Sequence, residues 1–455
     1  MLGRTKKIHF VGIGGIGMSG IAELLHNQGF EISGSDLMAS EVTEHLKKIG
    51  IPIYIGHNAK LVTDADVVVK SSAVNDENPE IKAAAVKKIR VIRRAEMLAE
   101  IMRMSYGIGI AGTHGKTTTT SMVGSVLSAA DLNPTVIVGG IVKNYGSNNL
   151  LGSGKYIVVE ADEFDRSFLH LSPILAGITN IEADHLDCYR DLDGVRKAFI
   201  EYANKVPFFG SVIVCLDDPG IQSIIPSIKK EIVTYGFSTQ ARIRAENISM
   251  KDFQSTFDIC KDGISLGRVS LKAAGRHNIA NALLAAAAGM ELDIPFPMIK
   301  AGLEKFNGVF RRFEVKGERN SIIVYDDYAH HPTEIEATLQ GVRDSTHRRI
   351  VTVFQPHLFS RTKDFFIEFG RSFYQSDVLI VTPIYPAREK PLPGITGKLI
   401  ADAAIQSGHK HVHYVDNNNS IVLKINAVVK EGDILITMGA GTIYKYGEAF
   451  LQQKN

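Results

Sequence analysis

At 455 residues the chain is too long for one core of ordinary size, which points to two or three domains. Lys+Arg 51 against Asp+Glu 49 leaves a formal charge of +2, so no global field draws the protein to nucleic acid or anionic lipid, and any anion must be gripped locally. Cys188, Cys215 and Cys260 are scattered and stand in no metal-binding spacing; they read as packing residues of a cytoplasmic protein rather than a disulfide framework or a zinc centre.

The N-terminal stretch MLGRTKKIHFVGIGGIGMSGIAELL places basic residues before an apolar run. Its glycines at turn spacing and its lack of a small-residue cleavage site predict a strand, loop and helix rather than a signal peptide. No run of about 18 apolar residues appears elsewhere, so no membrane span is expected. In VGIGGIGMSG, Gly12, Gly14 and Gly17 form G-x-G-x-x-G between a strand and a helix, and Asp36 ends the next strand, where a dinucleotide fold holds a ribose. A nicotinamide enzyme would use such a loop. The physical requirement is broader, because these glycines let the backbone approach any anion. A helix N-terminus near Met18 and Ser19 would offer N–H groups to a pyrophosphate, which a UDP-sugar also carries.

Further strand–helix units follow in ADVVVKSS and in GIGIAGTHGKTTTTSMVGSVLSAA. Here Gly112, Gly115, Lys116 and Thr117 supply the end of a P-loop, with Lys116 for terminal phosphates and the Thr117 hydroxyl for Mg²⁺. The full P-loop pattern wants glycine where Ile110 stands; strand, GTHGKT and helix remain, and they predict a nucleoside triphosphate site. Hydride transfer has no use for this loop. Glu160 closes KYIVVE and His185 lies in TNIEADHLD, both at carboxyl ends of strands, where an open α/β sheet gathers ligands. Thr117 and Glu160 suffice for one Mg²⁺, and His185 suits a second ion or a phosphate. Asp162, Glu163, Asp184 and Asp187 crowd the same loops and read individually as solvated carboxylates. Near residue 235 the pattern changes to short alternating strands, a small antiparallel insert. Strand–helix alternation resumes from Arg311. The reading is α/β in three domains, 1–95, 96–308 and 309–455: Rossmann-like, a P-loop ATPase domain with mostly parallel sheet, and Rossmann-like again.

The motifs GIGGIGMSGIAELL, SGSD, VVKSSAV, GTHGKTTTT, VVEADE, TNIEADHLD, GRHNIANALLAAA, GVFRRFEV, DDYAHHPTEI, FQPH and GAGT stand here in the order seen in the Mur ligase family, which the chain resembles over essentially its whole length. The resemblance implies an ATP-dependent ligase of peptidoglycan precursor synthesis that joins L-alanine to the lactoyl carboxylate of UDP-N-acetylmuramate. Attachment of a recycled peptide to the same nucleotide sugar is the alternative. It assigns Gly12, Gly14, Gly15, Gly17, Met18, Ser19, Asp36, Ser71 and Ser72 to the UDP-sugar. Gly112, Thr113, His114, Gly115, Lys116, Thr117 and Thr118 go to the ATP phosphates, with Arg312 reaching them from the third domain, Asn278 and Asn281 at adenine and Asp327 near the ribose. Tyr328, His330, His357 and Arg361 go to the amino acid and the reacting carboxylate, and Thr117, Glu160 and His185 to one or two Mg²⁺ ions, for which Mn²⁺ can substitute. Lys116, His185, Arg312, His330 and Arg361 form the implied catalytic set. The family picture also implies a cytoplasmic monomer or weak homodimer that closes over its substrates. Two positions depart from it: Leu358 stands where several members have arginine, and Phe199 aligns with a lysine that other Mur ligases carbamylate.

Overall fold

The computed structural model describes residues 5–143, 147–184, 186–387 and 389–453. Among these the strands form three sheets. The first contains β1 (Lys7–Val11), β2 (Glu31–Asp36), β3 (Ile53–Ile55), β4 (Val67–Lys70) and β5 (Arg90–Arg93) in the order β3-β2-β1-β4-β5, with every neighbouring pair parallel. Its central strands are nearly continuous apolar runs, KIHFV and VVVK, as burial on both faces requires.

The second sheet has ten strands: β6 (Tyr106–Ala111), β7 (Thr135–Val142), β8 (Ser147–Leu150), β9 (Tyr156–Glu160), β10 (Leu175–Ile178), β11 (Ser211–Cys215), β12 (Glu231–Gly236), β13 (Ile243–Lys251), β14 (Gln254–Lys261) and β15 (Ile264–Leu271). Their order is β15-β14-β13-β12-β11-β10-β6-β9-β7-β8, parallel from β13 to β7. Strands β13 to β15 are the insert expected near residue 235. Two-residue turns join them, with positive φ at Asp252, Phe253, Asp262 and Gly263, the backbone that suits tight hairpins. The helix Lys116–Ala129 behind β6 carries Thr and Ser at positions that ordinarily weaken helices. It is buried along nearly its whole length, so Thr120 and Ser121 return their hydroxyls to the carbonyls of Lys116 and Thr117 at 2.8 and 2.7 Å. Gly302 lets the helix Phe296–Lys305 approach it closely, since a Cβ there would lie 2.5 Å from the Val126 Cα.

The third sheet comprises β16 (Glu314–Arg319), β17 (Ile322–Asp327), β18 (Ile350–Phe354), β19 (Val378–Val381), β20 (Val412–Tyr414) and β21 (Ile434–Met438), ordered β16-β17-β21-β18-β19-β20. It is parallel except for the β16–β17 pair. Alternate residues of β18 enter two cores: Ile350 and Phe354 pack with Leu339, Phe369 and Ile400, while Val351 and Val353 pack with Ile421, Ile425 and Phe450. The chain divides into two compact units. One contains the first sheet and most of the second; the other is built from Asn307–Asn455 with the short segments Asn247–Phe257 and Ser270–Ile279. Among the described residues no helix is long and apolar enough to cross a membrane. Cys215 and Cys260 are buried and all three cysteines are free, in keeping with a packing role.

Candidate active site

In the first sheet the strand order reverses between β1 and β4, the kind of crevice where open α/β sheets bind ligands. The loops after these two strands meet there. Gly12 turns at φ +81°, and a Cβ on it would lie 3.0 Å from the Ser71 Cβ; Ser72 beside it is exposed. The helix opens at Ile16 with Gly15 as its cap, and the N–H groups of Met18 and Ser19 both donate to the Gly15 carbonyl at 2.9 Å. This corrects one expectation: those two N–H groups are spent inside the helix, and the helix start falls earlier, at the N–H groups of Ile16 and Gly17. Asp36, expected near a ribose, accepts the Gly14 N–H at 2.8 Å and so braces the loop from β2. Sequence reasoning missed Arg94. Its guanidinium lies against Gly17, with Nη1 3.0 Å from where a Cβ would sit, and places a fixed cation at a helix start that already favours anions. No local signal marks it, because it comes from the start of a distant helix, Arg94–Arg103.

The P-loop lies between β6 and the helix Lys116–Ala129. Gly112 turns at φ +134° with no room for a side chain, since a Cβ would lie 1.9 Å from Thr179 Oγ1. Residues after β10 lock the loop: Thr113 N–H donates to the Asn180 carbonyl at 3.1 Å, His114 N–H to Asn180 Oδ1 at 2.8 Å, and Thr179 Oγ1 to the His114 carbonyl at 2.5 Å. Thr113 and His114 therefore shape the loop with their backbone. The N–H groups of Gly115, Lys116, Thr117 and Thr118 form the helix start that can face phosphate. Lys116 Nζ bonds the Gly112 carbonyl at 2.7 Å and both oxygens of Glu163 at 2.9 and 2.8 Å. Burial opposes the lysine charge, but Glu163, Asp162 and Glu160 more than reverse that and hold it protonated, while burial pushes the Glu163 carboxyl up. Glu163 is thus a buried partner of Lys116 and not a solvated loop carboxylate. Thr117 Oγ1 lies 3.0 Å from each Glu160 oxygen, and Glu160 also accepts the Gly139 N–H at 2.6 Å. His185, expected as a metal or phosphate ligand, lies outside the described residues. Phe199 is fully buried against Phe168, ring centroids 5.2 Å apart, and supplies no ligand. Of the two asparagines expected at adenine, Asn281 packs against Gly115 and Asn278 donates to the Ala274 carbonyl at 2.7 Å.

In the second unit the carboxyl ends of β17, β21, β18 and β19 carry Asp327, Gly439, His357 and Tyr385. Asp327, expected near the ribose, accepts Ala329 N–H at 2.7 Å on one oxygen and Phe313 N–H at 2.8 Å on the other, so its first task is to tie two loops together; burial pushes it up to about 6. The two arginines of RRFE divide their work. Arg311 is committed to Asp326 at 2.9 Å and the Gly439 carbonyl at 2.7 Å, whereas Arg312 lies 3.6 Å from Glu334 and over the Tyr328 ring. His330 Nδ1 meets the Tyr328 carbonyl at 2.9 Å, which requires the proton on Nδ1 and leaves a lone pair on Nε2. Burial first, then the Arg361 charge, brings His330 down to about 3 and His357 to about 4, so both are neutral at pH 7. Arg361 is 8% exposed, so its guanidinium is buried rather than on the surface. Leu358 holds φ +71° at the start of the helix Phe359–Arg371, a backbone that L-residues seldom adopt, and its N–H donates to the Tyr385 carbonyl at 3.0 Å. The Glu389 carboxylate caps that helix through the N–H groups of Phe359 and Ser360 at 2.6 and 3.0 Å.

Known proteins match the chain along its length. The Mur ligase family catalytic domain matches residues 7–106, the Mur ligase middle domain residues 110–289, and the Mur ligase glutamate ligase domain residues 311–441. The UDP-N-acetylmuramate–L-alanine ligase of Geotalea uraniireducens is 51% identical over 453 residues, covering 100% of this chain and 99% of its own. The solved UDP-N-acetylmuramate-alanine ligase of Thermotoga maritima superposes with a TM-score of 0.80 at 31% identity and 98% coverage of both chains. A murein peptide ligase from Psychrobacter arcticus shares the fold, with a TM-score of 0.69 at 24% identity and 98% coverage of both. Three matched domains and half-identical relatives along the full length place the chain in the Mur ligase family.

Proposed function

We propose that this protein joins L-alanine to the lactoyl carboxylate of UDP-N-acetylmuramate, converting ATP to ADP and phosphate, in three domains divided near residues 95 and 308. The observation that carries the reading is the P-loop constellation, Lys116 on Glu163 and Thr117 on Glu160, in a chain half-identical over its full length to L-alanine ligases. Attachment of a recycled peptide gains no comparable support, because solved ligases of that kind are 24% and 29% identical whereas L-alanine ligases reach 51%.

ATP would phosphorylate the carboxylate, the neutral amine of L-alanine would attack the acyl phosphate, and phosphate would leave from a tetrahedral intermediate. Two anions must approach to roughly 3–3.5 Å for the first step, so fixed positive charge is the main catalytic requirement. Lys116, kept protonated by Glu163, supplies it at the γ-phosphate, and the helix start at Gly115–Thr118 cradles the chain of phosphates. The Thr117 hydroxyl and the Glu160 carboxylate are hard oxygen donors already converging on each other, a set that fits Mg²⁺ or Mn²⁺. The ion, when bound there, would neutralise phosphate charge. The turn at Gly12–Gly17, with Arg94 against it, takes the UDP pyrophosphate. For the amino acid, the buried Arg361 guanidinium offers its planar fork to the carboxylate, and neutral His330 offers Nε2 to a proton leaving the ammonium group. On this reading the reaction is cytoplasmic, where ATP is available, and the enzyme acts as a monomer or weak homodimer.

Phosphate release from ATP tests the reading. Turnover requires UDP-N-acetylmuramate and L-alanine together; equal release with either one omitted, or with no amide product, overturns it.

A further inference from the structure

The third sheet has a second charged end that the ligase chemistry does not use. Around the amino ends of β18, β19 and β20 lies a cavity of about 720 Å³, ample for a small phosphorylated molecule. It sits one strand length from the carboxyl ends that carry His357 and Tyr385, roughly 15 Å for the five residues of β18. Four cations line it: Arg349 from the start of β18, Lys410 from the loop before β20, and Lys424 and Lys430 from and after the helix Ile421–Val428. Three histidines also line it, His409 and His411 on the approach to β20 and His413 within it.

The negative charge nearby is already spent. Asp377, the one carboxylate of the lining, receives Arg343 Nη2 at 2.6 Å and the Ile350 N–H at 2.8 Å. Asp433 behind Arg349 is held by that arginine at 2.6 Å and by the Lys430 N–H at 2.7 Å. Among the described residues no ion pair within 4.0 Å engages the ammonium groups of Lys410, Lys424 or Lys430. Unbalanced positive charge is also felt by the imidazoles. Burial, then Lys424 and His411, lowers His413; burial and His411 lower His409 against the opposing pull of Asp377 and a Ser376 backbone contact. A fold gains nothing by crowding like charges into one concavity, whereas an anion entering it would relieve every one of these repulsions.

We infer that this cavity binds a small polyanion, of the polyphosphate or phosphorylated-metabolite class, at a site separate from the P-loop and from the groups assigned to the amino acid. The occupant carries at least two anionic groups, because the lysines come from separate elements, Lys410 before β20 and Lys424 and Lys430 in and after the helix Ile421–Val428.

Calorimetric titration of the full-length protein with inorganic tripolyphosphate, in the absence of divalent metal, tests this. Tripolyphosphate bound at the P-loop contributes equally in all variants, so the comparison isolates the cavity. Lys410→Glu/Lys424→Glu should weaken or remove one binding event by about tenfold or more, the scale of lost charged hydrogen bonds, with Lys410→Gln/Lys424→Gln intermediate and ligation turnover near that of the parent in both. Isotherms that superimpose for parent and charge-reversed protein, with turnover intact, overturn the proposal.

Discussion

The two glycine loops of the first unit share one backbone device and differ in where they keep their charge. Both follow a buried parallel strand, turn on a glycine at positive φ and open a helix. At the first loop the side chains are braces: Asp36 holds Gly14, Ser71 packs on Gly12, and a cation, Arg94, comes from another helix and lies against Gly17. At the second, the loop itself carries Lys116 and Thr117, each aimed by a carboxylate from the region after β9 or at its end. A loop that only holds a pyrophosphate can leave its charge at the margin. One that must stabilise a moving phosphoryl group needs the cation inside, and must bury Glu163 to orient it, at a desolvation cost that the ion pair offsets.

The sharpest way to break this comparison is Lys116→Ala. Turnover should fall by about 10²–10³-fold or more, while calorimetric binding of UDP-N-acetylmuramate stays at the parental value; parallel loss of both would mean that the loops do not divide their labour. Because that variant strands Glu163 in the interior, it should also lose about 3–5 kcal/mol of stability. Lys116→Met with Glu163→Gln should recover most of the stability and none of the turnover. Next in size, Gly112→Ala forces a Cβ to 1.9 Å from Thr179 Oγ1, against 3.0 Å from the Ser71 Cβ for Gly12→Ala. Both pay for positive φ, roughly 1–3 kcal/mol, and denaturant melts should show the larger loss at Gly112. An equal loss would mean that the P-loop is no more tightly locked than its neighbour.

Single arginines should give smaller and more selective effects. Arg94→Ala should raise the Kd for UDP-N-acetylmuramate by roughly ten- to a hundredfold, as for a charged hydrogen bond, and leave the KM for ATP alone. Arg361→Ala should do the same to the KM for L-alanine, with Arg361→Lys recovering only part because an ammonium lacks the paired donors. Leu358→Arg should partly rescue Arg361→Ala; an unchanged KM in Arg361→Ala would remove that residue from the site.

These contacts also show what could be read in advance. Strands, glycine loops, Lys116, Thr117 and Glu160 were legible because each rests on a local pattern: an apolar run, a turn residue, a helix start. Glu163 was not, since its value comes from a partner 47 residues away and from burial, which a loop sequence crowded with acids conceals. Arg94 and the bracing roles of Asp36 and Asp327 depend likewise on which loops the sheet order brings side by side. Arg361 could be named from its motif, but only the packed helix Phe359–Arg371 shows that it is buried.

The smallest effect expected lies in pH dependence, and it separates the two units. His277 and His357 are held at about 4 and His330 at about 3 in the second unit, chiefly by burial. Their folded values lie below the unfolded one, so the stability they contribute is complete above about pH 6.5 and is lost as the pH falls toward 4. Asp327, raised to about 6, acts in the opposite sense: its contribution is present below about pH 4 and is lost as the pH rises through 6. His277→Gln should therefore make acid unfolding less steep, and Asp327→Asn, which keeps one of the two acceptors, should lower the midpoint less at pH 7.5 than at pH 4.5, both read by thermal melts. The P-loop lysine, held protonated by its acids, should add no inflection between pH 6 and pH 8.

The most direct measurement of the central claim follows the oxygen. With UDP-N-acetylmuramate labelled by ¹⁸O in its lactoyl carboxylate, an acyl phosphate pathway must carry one labelled oxygen into each phosphate released, and release must require L-alanine at steady state. Mass spectrometry of the phosphate should show that single label. Unlabelled phosphate accompanying amide formation would contradict activation of the carboxylate by ATP at the Lys116 loop.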